Sequence, residues 1–363
     1  MKALVYRGPR DIAYETMKDP ELHDDRDAII KVDKCAICGS DLHIYHGETF
    51  SGDTGYCVGH EAVGEVVEIG RGVRQLKVGD KVMISAAVGC GQCRSCLAGI
   101  VNRCENNAAG CYGLSSRLQG CQAEGVRVPA ADFNAQKIPD GITADQALMM
   151  TDALATAWFG ARNADIQRGA TVAVVGLGPI GLLAAEAAFI MGAARVFGID
   201  LVEGRRAMGR AFGMETPDPA IAREYITEAT RGRMCDSVIE AVGHSATIRA
   251  SLGLAGRRAT VSVVGVNQDR SFDFPMSKAF GMGLTFRIGT CSVPQEWPEL
   301  IPLVQSGRIR PERYISHTLP LSDGKHAYDI FDRRVDGAMK MVFDPGLQSI
   351  TQSDGFRSLA PDS

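Results

Sequence analysis

Four cysteines crowd into one short stretch, CGQCRSCLAGIVNRC, where Cys90, Cys93, Cys96 and Cys104 are separated by two, two and seven residues. Thiolates at this spacing can close a tetrahedron around Zn²⁺, and four protein ligands leave no position for a substrate, so the expected role is structural. An iron–sulfur cluster can use similar spacing, but no proline follows the last cysteine and no second cluster motif is present. Four unrelated buried thiols fit poorly among glycine, glutamine, arginine and serine. A second group is split between CGSDLH, Cys38 to His43, and GHE, Gly59 to Glu61. Cysteine and histidine from two loops are partial ligands for an open zinc site, which takes three protein groups and keeps one exchangeable position. Taken singly, His60 reads as a hydrogen-bonded histidine and Cys38 as a small buried hydrophobe.

A third constellation handles phosphate. Gly176, Gly178 and Gly181, with Pro179 and Ile180 between them, follow the strand-like TVAVV and open a helix-like run. In that context the glycines allow a tight turn and close approach to a pyrophosphate, which rests on the helix amino terminus. Nineteen residues after Gly181, at the end of VFGID, stands Asp200. Its carboxylate suits the ribose hydroxyls of NAD and repels the 2′-phosphate of NADP. Arg205 and Arg206 argue the other way, since two arginines can hold a phosphate.

The elements that must position these groups fall into two textures. A chain of 363 residues outgrows a single core, so two domains are expected. Up to about Asp140, short strand-like segments such as Ala28 to Val32, Ala62 to Ile69 and Lys81 to Ile84 lie between glycines and aspartates, suggesting an antiparallel β-rich domain with little helix. From about Ala153 the runs Thr171 to Val175, Arg195 to Ile199, Asp236 to Ala241 and Thr260 to Val266 alternate with helical patterns such as Ile180 to Met191. That order demands crossovers and a parallel sheet. The tail after Pro345 has little periodicity and is expected to be a surface extension.

Composition removes other classes. With 39 basic and 43 acidic residues and no long basic run, nucleic acid is not an expected partner. The amino terminus turns polar after six residues, too early for a secretory signal. Val172 to Ala194 is apolar, but four glycines, Pro179 and Glu186 make it a buried strand and helix, so no membrane partner is expected. Eleven cysteines in a chain expected to be cytoplasmic favour metal ligation over disulfides.

Together CGSDLH, GHEAVGEV, VGDKV at Val78 to Val82, the cysteine quartet and GLGPIG followed by Asp200 resemble the zinc-dependent medium-chain dehydrogenases: alcohol, sorbitol, threonine and formaldehyde dehydrogenases. The resemblance covers nearly the whole chain. It implies an α/β protein with a GroES-like catalytic domain over 1–155, a Rossmann doubly wound parallel sheet over 156–290, and a return to the catalytic domain over 291–363. It implies two zinc ions, a structural one in the quartet and a catalytic one on Cys38, His60 and a third ligand. That ligand is assigned to Asp152 in MTDALATAWFGA, as in the branch that uses aspartate; the competing role is a cap for the helix after it. Glu61 then lies beside the metal, Asp41 orients His60, and Ser40 and His43 form a proton relay, a role suited to an imidazole. Arg205 would contact the adenosine ribose, and Val264 and Val266 would flank the cofactor.

The activity implied is hydride transfer between NAD and an alcohol, giving a ketone or aldehyde. Ala86 stands where the family often has a large aromatic, and with Ser85 and Ala87 also small the pocket is expected to accept a secondary or branched alcohol. Alternatives are a formaldehyde or other aldehyde-processing enzyme, a polyol or threonine type, or a zinc- and NAD-binding redox regulator without catalysis. The run Gly283 to Thr290 is expected to be an edge strand pairing with a second copy, giving a homodimer or homotetramer. Cys35, Cys57, Cys111, Cys121, Cys235 and Cys291 have no metal role, and some are expected to line the pocket.

Overall fold

The computed structural model describes residues 1–48, 50–106 and 110–348, which leaves most of the tail expected to be a surface extension outside the described residues. Valine and isoleucine dominate the strands, and burial follows the sheet each belongs to. Ala28–Ile37 is the hub of a seven-stranded sheet in the order Ile315–Pro320, Lys340–Asp344, Ala28–Ile37, Glu61–Ile69, Lys81–Ile84, Ala135–Lys137, with Gly125–Val128 also paired to the hub. All its pairings are antiparallel except that of Ile315–Pro320 with Lys340–Asp344. A smaller antiparallel sheet joins Asp11–Thr16, Lys2–Gly8 and Tyr56–Cys57.

The second unit is a five-stranded, all-parallel sheet in the order Arg195–Ile199, Thr171–Val175, Cys235–Glu240, Ala255–Val263, Thr285–Ile288. Its first strand, TVAVV, is buried along almost its whole length, as a parallel strand covered by helices on both faces must be. The order reverses between Thr171–Val175 and Cys235–Glu240, so a crevice opens at their carboxyl ends, where the glycine loop lies. The expected strand Thr260 to Val266 begins earlier and ends at Val263, because its pairing with Cys235–Glu240 starts at Ala255. Arg195–Ile199 and Thr285–Ile288 are the two edges; among the described residues Thr285–Ile288 pairs on one side only, with Ile288 61% exposed.

The chain therefore leaves the antiparallel sheet, builds the parallel one and returns to supply Ile315–Pro320 and Lys340–Asp344. Helices Ala144–Met150, Ala153–Asn163, Pro179–Ile190 and Val293–Gln305 pack together in one continuous core with residues of both sheets, among them Ala36, Val63, Val172 and Val342. Among the described residues no helix is long and apolar enough to cross a membrane.

Candidate active site

The hub strand Ala28–Ile37 stops one residue short of Cys38, and its antiparallel neighbour Glu61–Ile69 starts one residue after His60, with Ala36 opposite Glu61. Sheet register thus brings the two halves of the split motif side by side. Asp152 comes from the turn between helices Ala144–Met150 and Ala153–Asn163. Ligand atoms of Cys38, His60, Glu61 and Asp152 all lie within 4.8 Å of one another. Asp152 Oδ2 accepts from the Cys38 thiol at 3.3 Å and lies 3.5 Å from His60 Nε2. The Asp152 side chain makes no capping bond to its helix; its Oδ1 accepts the Thr156 hydroxyl at 2.9 Å instead. One oxygen faces the cluster, and the other is held by a side chain of the helix's first turn rather than by its free amides.

Asp41 stands behind His60, with Oδ1 3.3 Å from Nδ1 and Oδ2 accepting the Cys38 amide at 2.9 Å. Ser40 Oγ is 3.3 Å from His60 Nε2. His43, one turn along the short helix Asp41–Tyr45, bonds through Nδ1 to Glu48 at 2.8 Å. Glu61 forms an ion pair with Lys340, and both are almost wholly buried.

The electrostatics ask for a positive charge in the middle. Burial disfavours a charged His60 imidazole, yet Asp41, then Cys111 and Asp152, raise its proton affinity well above the usual histidine range. Burial likewise works against an ionised Asp152, but the hydrogen bond and charge of His60 hold its carboxyl below the usual carboxylate range. Burial and the charge of Asp152 push the Cys38 thiol up. Sulfur, imidazole and carboxylate facing one point are borderline-soft donors of the kind Zn²⁺ takes, and Asp41 behind the imidazole matches the outer partner that metal-bound histidines use. The residues present fit a zinc ion.

The quartet fits one too, by independent measures. Cys90 and Cys96 sulfurs are 4.0 Å apart and those of Cys93 and Cys104 3.9 Å apart. A tetrahedron of four bonds of about 2.3 Å has edges of about 3.8 Å. Backbone amides of Gln92 and Cys93 point at Cys90 Sγ, those of Cys96 and Glu105 at Cys93 Sγ, and that of Cys90 at Cys104 Sγ. Against partial burial, the amides of Gln92 and Cys93 lower the Cys90 thiol to about 6. The lobe is tied back to the protein: Asn102 donates to the Thr290 carbonyl and hydroxyl at 2.6 and 2.9 Å and accepts the Ser292 hydroxyl at 2.5 Å, bracketing Cys291.

In the glycine loop, Gly176 has φ +90°, and a Cβ on Gly181 would lie 1.7 Å from the Gly176 carbonyl oxygen, so both positions exclude a side chain. A Cβ on Gly178 would meet only Arg205 Nη1, at 4.0 Å, which leaves open space at the amino terminus of helix Pro179–Ile190. Asp200 accepts the amides of Leu177 and Val202, each at 2.8 Å. Arg205 lies 3.7 Å from Asp200, while Arg206 pairs with Glu203 at 2.6 Å and donates to the Asp200 carbonyl at 2.7 Å. Val264 is buried, near enough to Gly160 that a Cβ there would come within 3.1 Å of it; Val266 lies beside Gly243. Ala86 is buried, and its amide donates to the Thr151 carbonyl, next to Asp152.

Three residues of the site escaped sequence reasoning. Gln122 donates to Asp41 at 3.4 Å and to the Ala36 carbonyl at 3.0 Å, and accepts the Tyr328 hydroxyl at 2.9 Å, so a buried chain runs from Tyr328 to Asp41, the neighbour of His60. Nothing in the sequence marks Gln122 or Tyr328. Lys340 did carry a signal: a single lysine inside the apolar run AMKMVFD must find a partner if that run is a core strand. Two of the unassigned cysteines also border the cluster, for Cys111 and Cys291 both feel the charge of Asp152, and burial pushes the Cys111 thiol up to about 12.

A parallel nucleotide-type sheet joined to a β-rich unit that carries two metal-competent clusters defines a metal-assisted dehydrogenase class. Residues 24–140 match the alcohol dehydrogenase GroES-like domain and residues 179–306 the zinc-binding dehydrogenase domain. A Mycobacterium tuberculosis protein named "probable zinc-binding alcohol dehydrogenase" is 43% identical over 96% of this chain and 90% of its own length. The structure of an alcohol dehydrogenase from Thermus sp. ATN1 superposes with a TM-score of 0.89 at 35% identity, covering 95% of this chain and 99% of that one. A Sinorhizobium meliloti structure at 30% identity and a TM-score of 0.82, covering 95% and 99%, holds NADP. The chain belongs to the zinc-dependent medium-chain dehydrogenases. It is a zinc-type, alcohol dehydrogenase-like oxidoreductase that uses a nicotinamide cofactor.

Proposed function

We propose that the chain interconverts a secondary or branched alcohol and its ketone or aldehyde with NAD, using Cys38, His60 and Asp152 as the ligands of a catalytic zinc and the quartet as the ligands of a second. The observation that carries this reading is the convergence of those three side chains, with Asp152 Oδ2 facing Cys38 and His60 while Oδ1 is fixed by the Thr156 hydroxyl. Zinc supplies Lewis acidity that makes an alcohol acidic enough to release hydride and polarises a carbonyl in the reverse direction. Ser40 and His43 carry the proton between the buried oxygen and water. Asp41 orients the His60 ring, and Glu61, neutralised by Lys340, sets the charge beside it. The glycine loop takes the pyrophosphate, and Asp200 the adenosine ribose.

NAD is favoured over NADP because each arginine near the ribose position is already matched by an acid, Arg205 by Asp200 and Arg206 by Glu203. The small side chains of Ser85 and Ala86, the latter bonded to the turn that carries Asp152, support a branched substrate. The one-sided strand Thr285–Ile288 is the surface through which we expect a second copy to pair. Zinc analysis of the purified protein should give two ions per chain, with rates higher on 2-butanol than on 1-butanol and tighter NADH than NADPH binding by fluorescence titration. An Asp152→Ala variant that kept both ions and full turnover would refute the ligand set; a preference for 1-butanol or for NADPH would refute the substrate or cofactor reading separately.

A further inference from the structure

The proton relay has an outer partner that neither its motif nor its spacing announced. Helix Asp41–Tyr45 ends at His46, and Gly47 follows with φ +86°, the left-handed turn that helix ends favour. The Gly47 amide donates to the Ile44 carbonyl at 2.9 Å and the Glu48 amide to the His43 carbonyl at 2.8 Å, a closed pair of bonds that folds residue 48 back over residue 43. Glu48 Oε2 consequently sits 2.8 Å from His43 Nδ1. The same residue is held from the other side of the cleft, where Gln268, beyond strand Ala255–Val263 of the parallel sheet, donates its side-chain amide to the Glu48 carbonyl at 2.8 Å. Glu48 is 58% exposed and His43 23%, so the pair stands where a proton must pass from the cleft to water.

We propose that Glu48 is a positioning residue for the relay, fixing the His43 imidazole with Nδ1 as its donor and Nε2 as its free acceptor, and that Gln268 holds Glu48 in place from the cofactor-binding side. The inference rests on the reading of Ser40 and His43 as the relay. A carboxylate at Nδ1 selects that tautomer and favours the imidazolium formed when Nε2 takes up the proton. The charge balance is simple: Nε2 gains one proton from the alcohol side, and the cation that results is neutralised by Glu48 until one proton leaves to solvent. Other charges face Glu48. His46 lies on its own turn, bonded to Asp332 at 2.7 Å, which also pairs with Arg10 at 3.1 Å, and His244 faces it from the parallel-sheet side. The His43 hydrogen bond, above the charges of His46 and His244, holds the Glu48 carboxyl below the usual range, so it is ionised wherever the enzyme would work.

The test is the pH profile of kcat/KM for oxidation of 1-butanol or 2-butanol, whichever turns over faster, by the zinc-loaded full chain with NAD. Wild type, Glu48→Gln, His43→Gln and the double variant are compared. Without the carboxylate the imidazole is no longer held with Nε2 free for the incoming proton, so the Glu48→Gln profile should depart from that of wild type, with kcat/KM lower by about threefold. NADH affinity and zinc content, which a merely structural lesion would disturb, should stay at wild-type values. In the His43→Gln background the Glu48→Gln change should have no further effect. A Glu48→Gln profile that superimposes on wild type while His43→Gln alters it, or an equal loss with and without His43, overturns the inference and spares the relay; an unaltered His43→Gln profile overturns the relay and the inference with it.

Discussion

The two metal-competent clusters solve the same chemical problem by opposite routes. The quartet draws every ligand from Cys90 to Cys104, in a lobe with only the short helical turns Arg94–Leu97 and Val101–Arg103, and orients its sulfurs with its own amides. The open centre draws Cys38 and His60 from the ends of two paired strands and Asp152 from a turn far along the chain, and Lys340 comes from a strand added after the parallel sheet is complete. One is a property of a segment, the other of an assembled fold. The difference predicts that the quartet tolerates damage elsewhere, while the open centre depends on buried partners that never touch its reacting atoms.

The sharpest way to break this contrast is to empty each site in turn. His60→Ala should lower kcat/KM at least about 1,000-fold, since Lewis-acid stabilisation is worth several kcal/mol, while one zinc per chain remains. Cys96→Ser should also leave one zinc, but its main effect should be a lower melting temperature, because a structural site contributes folding energy. Zinc analysis with calorimetry reads both; loss of both ions from either variant would show that the sites are not independent.

Lys340→Met should come next, destabilising the protein by about 3–5 kcal/mol in urea unfolding, because it strands the buried Glu61 carboxylate. Its quartet zinc should stay bound under native conditions. A variant as stable as wild type would mean that Glu61 finds another partner, and that the open centre needs less of the fold than its geometry implies.

The smallest effect concerns the framework under Asp152. Glu296, on helix Val293–Gln305, is buried against Arg162 of helix Ala153–Asn163, with one carboxylate oxygen unpartnered. Burial raises its carboxyl to about 7 despite Arg162. A folded-state value above the unfolded one of 4.5 means that the folded form binds the proton more tightly. Its contribution to stability is therefore full below about pH 4.5 and is lost as pH rises through about 7. Glu296→Gln should flatten the melting temperature between pH 5 and 8, removing at most about 3 kcal/mol of pH dependence. An unchanged slope would show that this contact carries none of it.

The same contrast explains what could be read from the sequence. The quartet and the glycine loop were legible because their chemistry is local, and the strands Lys81–Ile84, Thr171–Val175 and Arg195–Ile199 lie where their apolar runs placed them. Cys38 and His60 were suggestive only as a pair, since nothing in the spacing of two loops says that their strands are neighbours. Asp152 needed the family resemblance, for an aspartate before a helix reads equally as a cap. Gln122 and Tyr328 were invisible because a buried hydrogen-bond chain leaves no periodicity, and Glu48 because its partner is set by a left-handed glycine turn that the sequence shows only as His-Gly-Glu.

Asn102 gives this geometry an order in time. On a growing polypeptide the quartet is complete once Cys104 has emerged, whereas the open centre waits for Asp152 and its buried lysine for residue 340. The Asn102 amide finds its partners only when Thr290 and Ser292 have been made. The lobe whose ligands lie closest together in the sequence is thus fastened by residues almost two hundred positions further along the chain.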